Sequence, residues 1–455
     1  MLNRRQFLAA SAGATLTTWS LMSRQLLQAA DSLPSERHFH VRDIQRTTVR
    51  LEFRPTPRRN MDREIPHWRW AEVCEVTLES GAVGFGETLL FYTWGVPSDD
   101  DVARVRGQSA IEMMWDDSLG AGLQMALFDA VARTAHVPVH SLLGHKHTSR
   151  TPLSWWNIDT SAEDMASECA EAYRQGYMSY KTKGRPWFDL KQQLDLATKE
   201  VPEDFMIDMD FNDTLLTAEQ GLPILKDLER YPQVDIFETP IPQKDVAGNR
   251  AICAATDINV ALHYGTPDPA TVVRESAADG FVVGHGAEAL MSAGRFAEEV
   301  EMPFWLQLVG SDITAAWSLH FGGVLQQALW PAVNCHQLYE ERLLIDPITV
   351  SDGHAEVPDR IGLGYELNRD AVERFKVRKP AQRPEPQRLI ETTWPDGRTM
   401  YTASNGTVNF MLHAAMEGKY PYFEAGADTR LVPDDGSSRW KELYKRARKE
   451  GPISV

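Results

Sequence analysis

The stretch "YKTKG", residues 180–184, sets two lysines two positions apart in a segment otherwise composed like a buried strand. Residues i and i+2 of a strand face the same side. The ammonium groups of Lys181 and Lys183 are therefore pushed together and repel each other. Such a pair makes sense where a depressed lysine pKa is useful, because each charge lowers the other's proton affinity and moves an amine toward the range of a working base.

Outward from this stretch, short apolar runs alternate with amphipathic helical patterns. "PLSWWN" precedes a helix over 161–175, "SYKTKG" one over 187–200, and "DFMIDMDFND" one over 216–230. "VDIFETP", "INVALHYG", "GFVVGH" and "PFWLQL" follow, with helices near 245–256, 268–278, 288–300 and 312–328. Seven or so β-then-α units predict a parallel sheet, and their number favours a closed barrel over residues 151–350. Polar residues at the carboxyl ends of barrel strands face the active site. That rule selects Lys181, Lys183, Asp208, Asp210, Glu238, His263, Tyr264, His285 and Gln307.

Residues 31–150 read as an α+β domain. Strands over 38–55 and 70–90 are joined by the polar loop "RPTPRRNMDREIPHWRW", and "GLQMALFDAVARTAHVPVHSLLG" carries one apolar helical face through Leu123, Ala126, Leu127, Ala130 and Val131. Residues 379–455 form an accessory extension, with the Pro-rich "RKPAQRPEPQ" at its start, a hairpin in "ETTWPDGRTMYTAS" and a basic helix in "RWKELYKRARKE". A surface or contact role is expected of it. Residues 1–30 carry the twin-arginine pair Arg4 and Arg5 and an apolar run interrupted by "TTWSLMSRQ", too short for the roughly 20 residues of a span. They read as a twin-arginine export signal cleaved near Ala30, giving a periplasmic or extracellular protein with no membrane span in the mature form.

The bulk properties narrow the partner. The chain has 455 residues, with 47 basic against 64 acidic side chains and a formal net charge of -17. This removes the electrostatic case for nucleic acid or anionic lipid and leaves a small molecule. Cys74, Cys169, Cys253 and Cys335 are scattered without metal-type spacing and read as buried free thiols.

Asp208 and Glu238, at the ends of consecutive strands, supply hard oxygen ligands of the kind Mg2+ takes, though another divalent cation is open. A metal holding a carboxylate, beside a lysine that takes a proton from the adjacent carbon, describes enolate chemistry.

In order along residues 40–376, "LESGAVGFGE", "ALFDAVARTAHVPVHSLLG", "GYMSYKTKG", "MIDMDFN", "IFETPIPQKDVAGNRAICAATDINVAL" and "GLGYEL" resemble the motifs of the enolase superfamily, in the mandelate racemase and muconate lactonizing enzyme group. The resemblance implies a modified (β/α)7-8 TIM-type barrel with an N-terminal α+β capping domain, residues 351–378 returning to the cap, and the C-terminal extension as an addition. By it Lys183 is the general acid/base, Lys181 tunes it and contacts a substrate carboxylate, and Asp208 and Glu238 are two of three metal ligands. It also implies a small carboxylate or acid-sugar substrate and a homo-oligomer.

The chain departs from that pattern in three places. Tyr264 stands at the third-ligand position with His263 beside it, and an imidazole suits Zn, Fe, Ni or Cu better than Mg. Gly284, followed by His285, and Gln307 occupy the positions of the racemase-type Asp and His. Glu340 is either the eighth-strand acid that holds the substrate carboxylate or an exposed glutamate, and His285 and Gln307 are candidates for substrate contact. The expectation is one-sided proton abstraction next to a carboxylate, as in an acid-sugar dehydratase-like lyase or an isomerase. The alternative is a non-catalytic or metal-independent carboxylate binder on the same fold.

Overall fold

The computed structural model describes residues 35–92 and 95–455. The export signal expected over residues 1–30 lies outside the described residues. Among the described residues no helix is long and apolar enough to cross a membrane, and all four cysteines are free.

Three antiparallel strands, β1 (Val41–Arg50), β2 (Trp70–Leu78) and β3 (Val83–Leu89), form the cap sheet in that order. The segment between β1 and β2, expected as a polar loop, instead contains the helix Pro55–Glu64. Proline is tolerated in a first helical turn because its missing N–H would be unbonded there anyway. The helix buries Met61, and Asn60 donates to Asp164 at 2.9 Å. These tertiary partners hold a helix whose composition alone reads as loop. The helix Ala121–Ala135 lies against β3 so closely that a Cβ on Gly86 would come within 2.4 Å of the Gly122 carbonyl.

The central ring consists of parallel strands β4 (Arg150–Trp156), β5 (Ser179–Lys183), β6 (Met206–Asp210), β7 (Val234–Glu238), β8 (Asn259–His263), β9 (Gly280–Val283) and β10 (Phe304–Leu306), neighbours in sequence order. Each is followed by a helix. The short β11 (Ala332–Val333) pairs parallel with β4, and a Gln307–Val333 bridge joins it to β10, closing the barrel. A hairpin of β12 (Val350–Ser351) and β13 (His354–Glu356) pairs antiparallel with β4 through β13. The fold is the expected α/β barrel with an N-terminal α+β cap. Glu87, buried at the end of β3, accepts from the Ser311 and Thr314 N–H groups at 2.6 and 3.0 Å. These open the buried helix Asp312–Val324, so a cap carboxylate completes a barrel helix terminus.

The extension is a four-stranded antiparallel sheet, β14 (Leu389–Thr393), β15 (Thr399–Ala403), β16 (Asp428–Val432) and β17 (Ile453–Ser454), in the order β16-β14-β15-β17. It carries the helices Phe410–Met416 and Ser438–Glu450. Trp187 and Phe188, from the loop after β5, are buried in its apolar core with Trp394, Phe410 and Tyr420. The core of this sheet thus holds the loop after β5 at Trp187, four residues beyond Lys183.

Candidate active site

A cavity of about 470 Å³ opens at the carboxyl ends of the barrel strands. Its charged end is built from β5 to β8. Lys183 is the ladder neighbour of Asp210, and Asp210 of Glu238. The amine of Lys183 ion-pairs with Asp210 and lies 3.3 Å from Asn212 Oδ1. The amine of Lys181, only 1% exposed, ion-pairs with the fully buried Glu238 and donates to Gln307 Oε1 at 2.7 Å. His263 Nε2 closes the set 3.0 Å from Glu238 Oε1.

Aromatic faces cover the two ammonium groups. Lys181 Nζ sits 4.8 Å from the Trp305 ring centroid and Lys183 Nζ 5.9 Å from that of Trp156. Trp68, from the cap, stacks on Trp156 at 5.4 Å. Cation–π contact in such a water-poor place partly replaces hydration.

Burial lowers the Lys183 pKa most, and the neighbouring Lys181 charge adds to the drop, while Asp210 and Glu238 oppose it. For Glu238 burial alone would raise the carboxyl, but Lys181, His263 and Lys183 together hold it below the usual carboxylate range. Asp208 behaves in the opposite way. Burial and the nearby Asp235 push its carboxyl well above the ordinary range, and its Oδ1 has no hydrogen-bond partner.

Several expectations are corrected by this geometry. Asp208 faces the barrel interior opposite Lys181 and takes a hydrogen bond from Ser179 at 3.3 Å. The acid that lines the cavity beside Lys183 and Glu238 is Asp210, with Asn212 two residues on. "MIDMDFN" admits both phases, two residues apart, and only the pairing register separates them. Tyr264 is not at the third corner: its ring packs on Phe281 and Phe296 at 5.4 and 5.9 Å, and His263 holds the corner. His285 is exposed after β9 at φ 89° and does not line the cavity. Glu340 is exposed and faces Arg58 of the cap at 3.7 Å, away from the cavity. Gln307 does reach the cavity.

Sequence reasoning missed Arg185, Trp68, Trp156, Val408 and Asn409 as lining residues. Arg185 follows Lys183 by two and continues its spacing. The tryptophans and the extension residues carry no local signal.

The donor set does not fit Mg2+. That ion takes near-octahedral oxygen ligands. Here Asp210 and Glu238 are each ion-paired with a lysine, and the third corner is an imidazole bound to one of them. Among the described residues no three His, Cys, Asp or Glu side chains gather as a cation cage.

The Enolase C-terminal domain-like family matches residues 164–371. An N-succinyl-L-Arg/Lys racemase of Bacillus cereus is 21% identical over 275 residues, covering 56% of this chain and 71% of that protein. An arabinonate dehydratase of Saccharolobus solfataricus is 22% identical over 346 residues, covering 67% and 90%. The chain is thus similar, over the matched part, to proteins of the enolase superfamily, among them members of its mandelate racemase and muconate lactonizing enzyme group. The solved muconate cycloisomerase of Azorhizobium caulinodans shares the fold at a TM-score of 0.59 and 21% identity, covering 74% of this chain and 98% of that enzyme. An enolase of Thermobispora bispora, solved with magnesium and formate, aligns at a TM-score of 0.60 and 17% identity, covering 74% of this chain and 92% of that protein. Racemases, cycloisomerases and dehydratases among these relatives make an enzyme of lyase or isomerase type the family-level expectation.

Proposed function

We propose that this chain is an exported enzyme that removes the proton next to the carboxylate of a small substrate, with Lys183 as the base. The observation that carries the reading is the Lys183 amine at the cavity's charged end, its proton affinity lowered by burial and by Lys181. The C–H bond breaks, its proton passes to the neutral Nζ of Lys183, and the electron pair moves into the carboxylate. The charge that develops there is met by the ammonium of Lys181 and the guanidinium of Arg185, fixed cations in a site largely screened from water. Expulsion of a β-substituent, which takes up the proton held by Lys183 on the same face, completes a lyase reaction, and delivery of that proton to a different carbon of the delocalised anion completes an isomerisation. No step is routed through a metal, because the donor set does not fit one.

A second reading is a carboxylate-binding protein without turnover. It is favoured by the closed Lys181–Glu238 and Lys183–Asp210 pairs, which satisfy each other without substrate.

Proton NMR in deuterium oxide separates the two. The wild-type protein is expected to exchange the α-proton of a 2-hydroxy acid, and Lys183→Met to lose about 10²–10⁴-fold of that rate. The rate should rise with pH and level off below the pH at which an ordinary lysine deprotonates. Saturable binding with no exchange would select the second reading. Export is tested by fractionation, where loss of periplasmic protein on changing Arg4 and Arg5 to lysine is the expected result. A mass measurement in solution tests the homo-oligomer.

A further inference from the structure

We propose that the C-terminal extension forms a wall of the substrate cavity, with Val408 and Asn409 as specificity-determining residues for a carboxylate whose body is largely apolar. The proposal rests on the reading of this cavity as a carboxylate site. Val408 and Asn409 line the same cavity as Lys181 and Lys183, although they lie more than 200 residues further along the chain. They sit on the exposed turn that leads into the helix Phe410–Met416. The Enolase C-terminal domain-like match ends at residue 371, ahead of this segment.

The extension is held from several sides. Trp187, 1% exposed, packs 5.3 Å from Tyr420, and its carbonyl accepts from Thr429 Oγ1 at 2.9 Å. The Asp189 N–H donates to the Ala427 carbonyl at 3.0 Å. The buried Arg388 donates to the carbonyls of Arg63 and Glu64 in the cap at 2.8 and 2.6 Å. Its guanidinium also lies 5.0 Å from the ring of Phe410, the residue after Asn409. Asn409 itself has φ 56°, a left-handed conformation that asparagine tolerates better than most residues. The extension is thus locked to the cap and to the lysine-bearing loop, and its turn is placed where a substrate's far end would reach.

The lining chemistry names the substrate class. The charged groups gather at the strand ends of β5 to β8. Elsewhere the walls are mostly apolar, Ile65, Trp68 and Phe91 from the cap and Trp156, Ile158 and Val309 from the barrel, with His67 and Tyr92 of the cap as the polar groups among them. A polyhydroxylated chain would lose water against these faces and find few partners. An aryl or alkyl body would bury apolar area there, with Asn409 left to meet a single polar group at the mouth.

Calorimetric titration of the full chain with phenyllactate and with D-gluconate tests this. Wild type is expected to bind phenyllactate about tenfold more tightly than gluconate. Val408→Trp should weaken phenyllactate about tenfold by filling the mouth. The near-isosteric Asn409→Asp should weaken it about fivefold at low salt by setting a negative charge against the anion. Asn409→Asp decides alone if the tryptophan variant does not fold. Equal or tighter binding of gluconate overturns the proposal, as do extension variants within about twofold of wild type while Lys183→Ala abolishes binding. Failure of both ligands to bind, or binding indifferent to Lys183→Ala, overturns the carboxylate reading and this proposal with it.

Discussion

The two halves of the barrel mouth are built on different principles. On β5 to β8 the cavity-end lysines are each answered by a carboxylate, Lys181 by Glu238 and Lys183 by Asp210, and the His263 ring lies against Glu238 as well. On β9 to β11 the cavity is lined by Gln307, Val309, Val333 and Cys335, with no acid or strong base. Charges so placed can act on a bound carbon acid from one face, while the other half supplies only shape and one amide. In the proposed reaction this contrast confines proton transfer to one face.

The contrast breaks most severely at Lys181. Replacing it with methionine leaves Glu238 buried without its main counter-ion, at a cost of about 3–5 kcal/mol in stability by denaturant titration. Lys181→Met combined with Glu238→Gln should recover much of that loss. A double variant no better than the single one would mean that Lys181 and Glu238 do not act as a pair.

A smaller effect concerns stereochemistry. With a base on one face only, deuterium exchange should be about 10²-fold faster for one enantiomer of a 2-hydroxy acid than for the other. Equal rates would place a second base on the neutral half. The smallest effect is at the seam between the halves. Gln307→Leu removes the acceptor of the Lys181 hydrogen bond, and a loss of about 1 kcal/mol in stability with the barrel intact is expected.

Strand order, the alternation with helices and the Lys181–Lys183 pair were legible in the sequence because each is a local pattern with its own period. The phase of the acids was not. Asp208 and Asp210 share a strand face, so hydrophobic periodicity treats them alike. What separates them is the pairing that puts Asp210 between Lys183 and Glu238 and leaves Asp208 opposite Lys181. His263 and Tyr264 differ by one residue and therefore by a whole face: one side chain enters the cavity and its neighbour packs against the outer helices.

The amino-acid sequence by itself determined the barrel, its cap and the pair of lysines, since burial patterns of period two and 3.6 are carried within each segment. The tertiary structure alone decided which carboxylates meet those lysines, that Glu238 and Asp210 are closed into ion pairs, and that the accessory extension reaches the cavity. Those outcomes depend on contacts between residues tens to hundreds of positions apart, whose register and docking no local period encodes.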